Sequence, residues 1–261
     1  MQSDYQRVGI LTQWRNGILY LSSFITLSLT LNEKYNLSTN YTHINDYIQL
    51  LVGSNLMLII IYVIIELRSN YLFSKAERNR RLQHLDSSFD TNFTGKRTEG
   101  YFSQDKLNPG FYKLCVNCFE NVIHTCAIVK KMQFDAYAKA TIIVLIFIFS
   151  AIVGDKGVVR SLIEAILPLA LVQEAIKLSV FAIRLENLRD HFISFFNSLR
   201  NLPFHNQEPE ALRYIVDYES VLAWASLPLN SSIFKKLQPI LAAEWEELKQ
   251  LYAIKENKNE K

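Results

Sequence analysis

Apolar and polar positions separate along this chain into long blocks rather than the short alternating runs of strands. No charged residue lies between Arg15 and Glu33, and 17–31 reads GILYLSSFITLSLTL. A helix over 14–31 rises about 27 Å, close to the roughly 30 Å of a bilayer's hydrocarbon core. The second block, 47–65 (YIQLLVGSNLMLIIIYVII), is uncharged for 19 residues between Asp46 and Glu66. That exceeds the usual core helix of a water-soluble protein. The third, 140–154 (ATIIVLIFIFSAIVG), is the most apolar but short. It spans if 137–139 enter at the interface, where Tyr is favoured and Lys extends its charge to water. The fourth, 158–183, holds Arg160, Glu164, Gln173, Glu174 and Lys177 among Leu, Ile and Ala runs. The tight connector 154–157 (GDKG) gives the third block an antiparallel neighbour immediately after it. The competing reading makes all four buried helices of a water-soluble all-α protein.

Between the second and third blocks, 71–86 continues the second helix into water, and 89–108 has the Gly, Thr, Asn and Ser content of turns. A helix over 109–132 follows, with Pro109 at its start. The tail predicts three helices, 185–200, 209–225 and 233–254, divided at Leu202-Pro203 and Leu227-Pro228. Glu208-Pro209-Glu210 suits a helix N-terminus. The expected fold is all-α, a four-helix transmembrane ion-channel domain plus a cytosolic, mostly helical domain. Its divisions are 1–67 (first two spans), 68–136 (basic, aromatic insert), 137–183 (third and fourth spans) and 184–261 (helical tail).

Composition narrows the class. With 8 Gly and 6 Pro in 261 residues, 49% hydrophobic and 20% charged, the chain is neither collagen-like, low-complexity nor turn-rich β. A net charge of +3 gives no global polybasic character, but the charge is unevenly placed. The stretch 68–139 has 12 Lys and Arg against 7 Asp and Glu, whereas the loops 32–46 and 155–157 hold one Lys each. The positive-inside rule then puts both termini and the insert in the cytoplasm. The opening residues lack a signal-peptide pattern. Three cysteines make a disulfide framework unexpected and suit a reducing compartment.

Two groups of residues carry candidate chemistry. In the fourth block, Arg160, Glu164, Leu167, Leu171, Glu174 and Leu178 fall along one helical stripe, and Glu174 and Lys177 are spaced to pair. Ionisable groups at membrane depth face a protein interior or a water path. One such helix per subunit of a homo-oligomer would line a pore, with Glu164, Glu174 and Lys177 as polar rings and Leu167, Leu171 and Leu178 as dewetting constrictions. The alternative is an intramembrane salt-bridge cluster that only holds helices together. In the insert, cations alternate with rings: Arg80 and Arg81 precede Phe89, and Lys96 and Arg97 precede Tyr101 and Phe102. Charges that track phosphates and rings that stack bases suit a nucleotide or single strand. The alternative assigns those charges to topology and those rings to a core. Cys115, Cys118, His124 and Cys126 superficially offer zinc ligands, but one helix stripe cannot wrap a tetrahedral ion. Buried thiols are expected there, with no metal or cofactor. No GxSxG, phosphate-binding glycine loop or HExxH occurs, so no enzyme is expected.

Two pairs of spans, a basic insert and a helical tail resemble the four-transmembrane effectors encoded beside SMODS-class nucleotidyltransferases in bacterial antiphage systems. Arg213-Tyr-Ile-Val-Asp217-Tyr-Glu219, Leu227-Pro228, Ile233-Phe234 and Glu244 are similar to the pattern of Arg, acidic residue, Pro and Ile/Phe in those effectors. The chain departs from them after the second span, where Glu99-Gly-Tyr-Phe and Phe119-Glu-Asn121 replace a Gln–Asp–Trp segment. That insert resembles the channel effector of Hailong defence. The resemblance implies a homo-oligomeric channel, with a tetramer as the working subunit number. A single-stranded DNA oligomer made by a partner nucleotidyltransferase would hold it shut, and loss of the oligomer would depolarise the cell and arrest growth. Arg80, Arg81, Lys96, Arg97, Tyr101 and Phe102 become its expected oligonucleotide contacts. A membrane-anchored interaction protein without a pore is the rival expectation.

Overall fold

The computed structural model describes residues 2–35, 42–95, 104, 107–153 and 158–254. Among them the chain is all-helical, with α1 (Gln2–Tyr35), α2 (Thr42–Phe89), α3 (Phe111–Val153), α4 (Val158–Ser198), a 3-10 turn (Phe204–Gln207), α5 (Glu208–Ala225) and α6 (Ser231–Leu251). The expected continuation of the second block is present, since α2 runs for 48 residues without a break. Two expected boundaries are absent. A helix ending at 132 and a span starting at 137 are one element, α3, and the fourth block is fused to the first tail helix as α4. The residues 133–139 (QFDAYAK) explain the first fusion. They mix charged and polar residues with Phe, Tyr and Ala but contain neither Gly nor Pro, and charge alone does not stop a helix.

The later helices follow their local signals. Pro209 sits in the first turn of α5 beside Glu208 and Glu210, and Ser226 ends that helix in the left-handed region. Asn230 caps α6, its side-chain oxygen accepting from the Ser232 and Ile233 amides at 2.9 and 3.2 Å.

The chain divides into two compact units. One comprises Met1–Asp4, Phe73–Met132 and Leu178–Lys261. Its centre is the first half of α3, where 113–120 is buried without interruption, as befits a helix surrounded by others. Phe119 lies in the middle, stacked on Phe196 at 4.8 Å and Phe192 at 5.7 Å and met edge-on by Trp245 at 5.5 Å. Tyr214, Ile215 and Tyr218 of α5 join the same core.

The other unit comprises Tyr5–Leu72 and Gln133–Lys177 and draws on α1 to α4. Its small core gathers Leu19, Ala140, Ile143, Leu171 and Ala175, with Ile59 and Tyr62 against it. Among the described residues, two stretches, Asp46–Phe89 and Phe111–Phe149, are long and apolar enough to cross a bilayer. Only 6% and 11% of their most apolar windows are buried by the protein itself, which is unlike the core helix of a water-soluble fold.

Candidate functional site

In the second unit several polar groups meet one another between helices. Arg15 of α1 donates to Glu66 of α2 at 3.0 Å and to both oxygens of Glu174 of α4 at 3.1 and 2.9 Å. The guanidinium is 13% exposed, and its Nε is buried with no partner. Further along α1, the Ser22 hydroxyl donates to Asn55 Oδ1 at 2.6 Å, and Asn55 Nδ2 donates to the Thr26 hydroxyl at 3.4 Å. Because Asn55 precedes Glu66 while Ser22 follows Arg15, α1 and α2 run antiparallel.

The outside of this unit is apolar. Phe24, Met57, Ile64, Ile142, Ile152 and Leu169 are all exposed. Hydrocarbon surroundings favour such a distribution. Exposed aromatics occur along the length of these helices: Trp14, Tyr20, Phe24 and Tyr35 on α1, Tyr47 and Tyr71 on α2, and Phe134, Tyr137 and Phe149 on α3.

The aromatic unit carries a second charged cluster. Arg80 is 7% exposed and lies between carboxylates, with Nε to Glu77 at 3.0 Å and a terminal nitrogen to Glu219 at 2.6 Å. Arg81 Nε also donates to Glu219, at 3.1 Å, and His84 Nδ1 lies 3.9 Å from the other carboxylate oxygen. Burial alone would raise Glu219, but the neighbouring His84 and the Arg80 guanidinium outweigh it and hold the carboxyl at about 2. His84 is pushed down by burial and by Arg80. One turn before the end of α2, Asp86 accepts from the Phe93 and Thr94 amides at 2.7 and 2.9 Å and from the Thr91 and Thr94 hydroxyls at 2.8 Å. These bonds overcome the cost of burial and hold Asp86 at about 2. They fix the chain as it leaves α2, just ahead of the aromatic and basic segment at 96–102.

No protein-family model, curated protein or solved structure matches this chain. The resemblance to antiphage effectors therefore stands on architecture and its short tail pattern alone.

The sequence-derived site residues divide three ways. Lys96, Arg97, Tyr101 and Phe102 lie outside the described residues, as do the side chains of Glu164 and Leu167 on α4. Arg80 is brought to Glu219 and Arg81 with it, so the buried guanidinium expected to meet phosphate is instead engaged by protein carboxylates. Leu171 and Glu174, expected to face a pore, point into the chain's own bundle, one in the core and the other on Arg15. Glu174 meets Arg15 rather than its neighbour Lys177, because a cation already half-shielded by two helices offers a carboxylate more than a side chain on its own surface does. Asn55, inside the unbroken α2, links that helix to α1. Cys115, Cys118 and Cys126 are buried and unbridged, and burial raises their thiols. Arg15 is the functional candidate that sequence reasoning passed over. Its signal was a lone charge at the edge of an apolar run, level with Glu66 at the edge of the next.

Proposed function

We propose that the chain is a bacterial inner-membrane effector of antiphage defence. Four helices cross the bilayer, and copies assemble into an ion channel controlled by a nucleotide or single-stranded DNA oligomer bound to the cytosolic part. The observation that carries the membrane part is the inverted polarity of the second unit, with Arg15, Glu66, Glu174 and Asn55 inside and large apolar side chains outside. Helices α2, α3 and α4 each contribute to both units without a break. This supports a channel whose spans respond to what the cytosolic unit binds. Since Leu171 and Glu174 serve the bundle, the water path lies between copies rather than along that stripe. Opening dissipates ion gradients and arrests growth.

The Arg15 triad favours one second reading, the membrane-anchored interaction protein. A closed ion-pair cluster within one chain holds helices together without any pore. Conductance of the purified protein in planar bilayers separates the two. Currents that change on adding or digesting DNA oligomers support the channel, and a silent bilayer under all of these supports the anchor. Reversing charge at Lys96 and Arg97 abolishes oligomer binding in a shift assay if that segment is the sensor. Unchanged binding removes it.

A further inference from the structure

The outward face of α6 has no use in the fold or in the function proposed so far. Leu241 and Trp245 are the buried side of this helix. On the other side, Lys236, Ile240, Ala243 and Glu247 are exposed, and their spacing of four, three and four places them in one row. Ile240 is 64% exposed. It stands in a shallow groove with Pro239, Ala243, Glu244 and Glu247. The row is basic at its start, Lys236, and acidic at its end, Glu247.

That charge order decides what the groove fits. A second α6 laid parallel would set lysine on lysine and glutamate on glutamate. Laid antiparallel, about a two-fold axis at the middle of the row, each Lys236 meets Glu247 of the other copy. Each Ile240 then fills the space above Ala243 of the other copy. Every contact is made twice, as an isologous interface requires, and antiparallel helix dipoles add to the preference. We infer that two copies of this chain pair through α6 in this antiparallel register.

The surface is one helix face, too small to hold free proteins together strongly. It suits chains already concentrated in one membrane, where the encounter is nearly intramolecular. The pairing thus names how copies meet within the homo-oligomer proposed above, and it rests on that reading for its setting. Joining copies two at a time, it gives assemblies of even number.

The test is disulfide cross-linking in vesicles of two co-expressed, differently tagged full-length chains, one Ile240→Cys and one Ala243→Cys. Wild-type chains are the control, their own cysteines being buried. The mixed-tag dimer is expected on oxidation. Lys236→Glu, placed in both chains, should cut its yield about tenfold, and Lys236→Glu with Glu247→Lys should restore it. Absence of the dimer, indifference to Lys236→Glu, or failure of the double reversal to restore it each overturns the pairing. Conductance of the same samples keeps the two proposals apart. Currents without the cross-link sink the pairing alone, and the cross-link in silent bilayers sinks the channel alone.

Discussion

Replacing Arg15 by Leu removes the one cation that the structure places between Glu66 and Glu174. The contacts are 3.0 and 2.9 Å, and the guanidinium is 13% exposed against 34% for each carboxylate. Breaking a fully buried pair from one side costs about 3–5 kcal/mol, because the remaining charge is stranded. Here the stranded carboxylates keep a third of their surface in water, so about 2–3 kcal/mol is expected after that discount. Glu66→Gln should behave differently. The site holds one cation and two carboxylates, and neutralising one leaves a balanced pair, for a loss of about 1 kcal/mol or less. Neutralising all three together, with Met at 15 and Gln at 66 and 174, should recover most of the Arg15→Leu loss. Unfolding of the full chain in mixed micelles, titrated with a denaturing detergent, reads these differences. Wild-type stability for Arg15→Leu, or equal losses for Arg15→Leu and Glu66→Gln, would refute the reasoning.

Three further outcomes follow from the same geometry. Asn55→Leu should weaken the α1–α2 contact by about 1 kcal/mol, read in the same micelle titration, while the apolar Met57→Leu on the outer face changes little. Glu219 is held at about 2, below the roughly 4.3 of an unfolded glutamate. A lowered carboxyl stabilises fully above the unfolded value and loses that contribution as pH falls through the folded one. The stability difference between wild type and Glu219→Gln should therefore be constant above about pH 7, where His84 is neutral in both, and should shrink between about 4.3 and 2, measured as denaturation midpoints against pH. Cys115, Cys118 and Cys126 should resist an aromatic disulfide reagent in the native chain and all react once it is unfolded.

Local signals carried much of the fold. Nineteen uncharged residues predicted the apolar half of α2, the charged run after them predicted its extension, and Pro209 and Asn230 mark where α5 and α6 begin. What failed was punctuation. A change from buried to exposed surroundings within α3 leaves no break in the backbone. Phe119 and Phe149 are both simply apolar in sequence, yet the first is sealed in an aromatic core and the second is bare. The site was less legible. Arg15 is 51 residues from Glu66 and 159 from Glu174, so no periodicity within one helix could join them. The fourth helix's charged stripe was visible, but whether Glu174 faces water or a cation depended on a partner in another helix. Arg80 and Arg81 show the same effect. Glu219, far along the chain, engages both, with Arg80 buried and Arg81 exposed.

The account depends on the second unit being wrapped in hydrocarbon, the setting proposed for inward Asn55 and outward Ile64. Washing vesicles that carry the full chain with alkaline carbonate tests it directly. The protein is predicted to stay with the membrane pellet as an integral protein does. Its release into the supernatant would contradict the membrane unit and, with it, any channel.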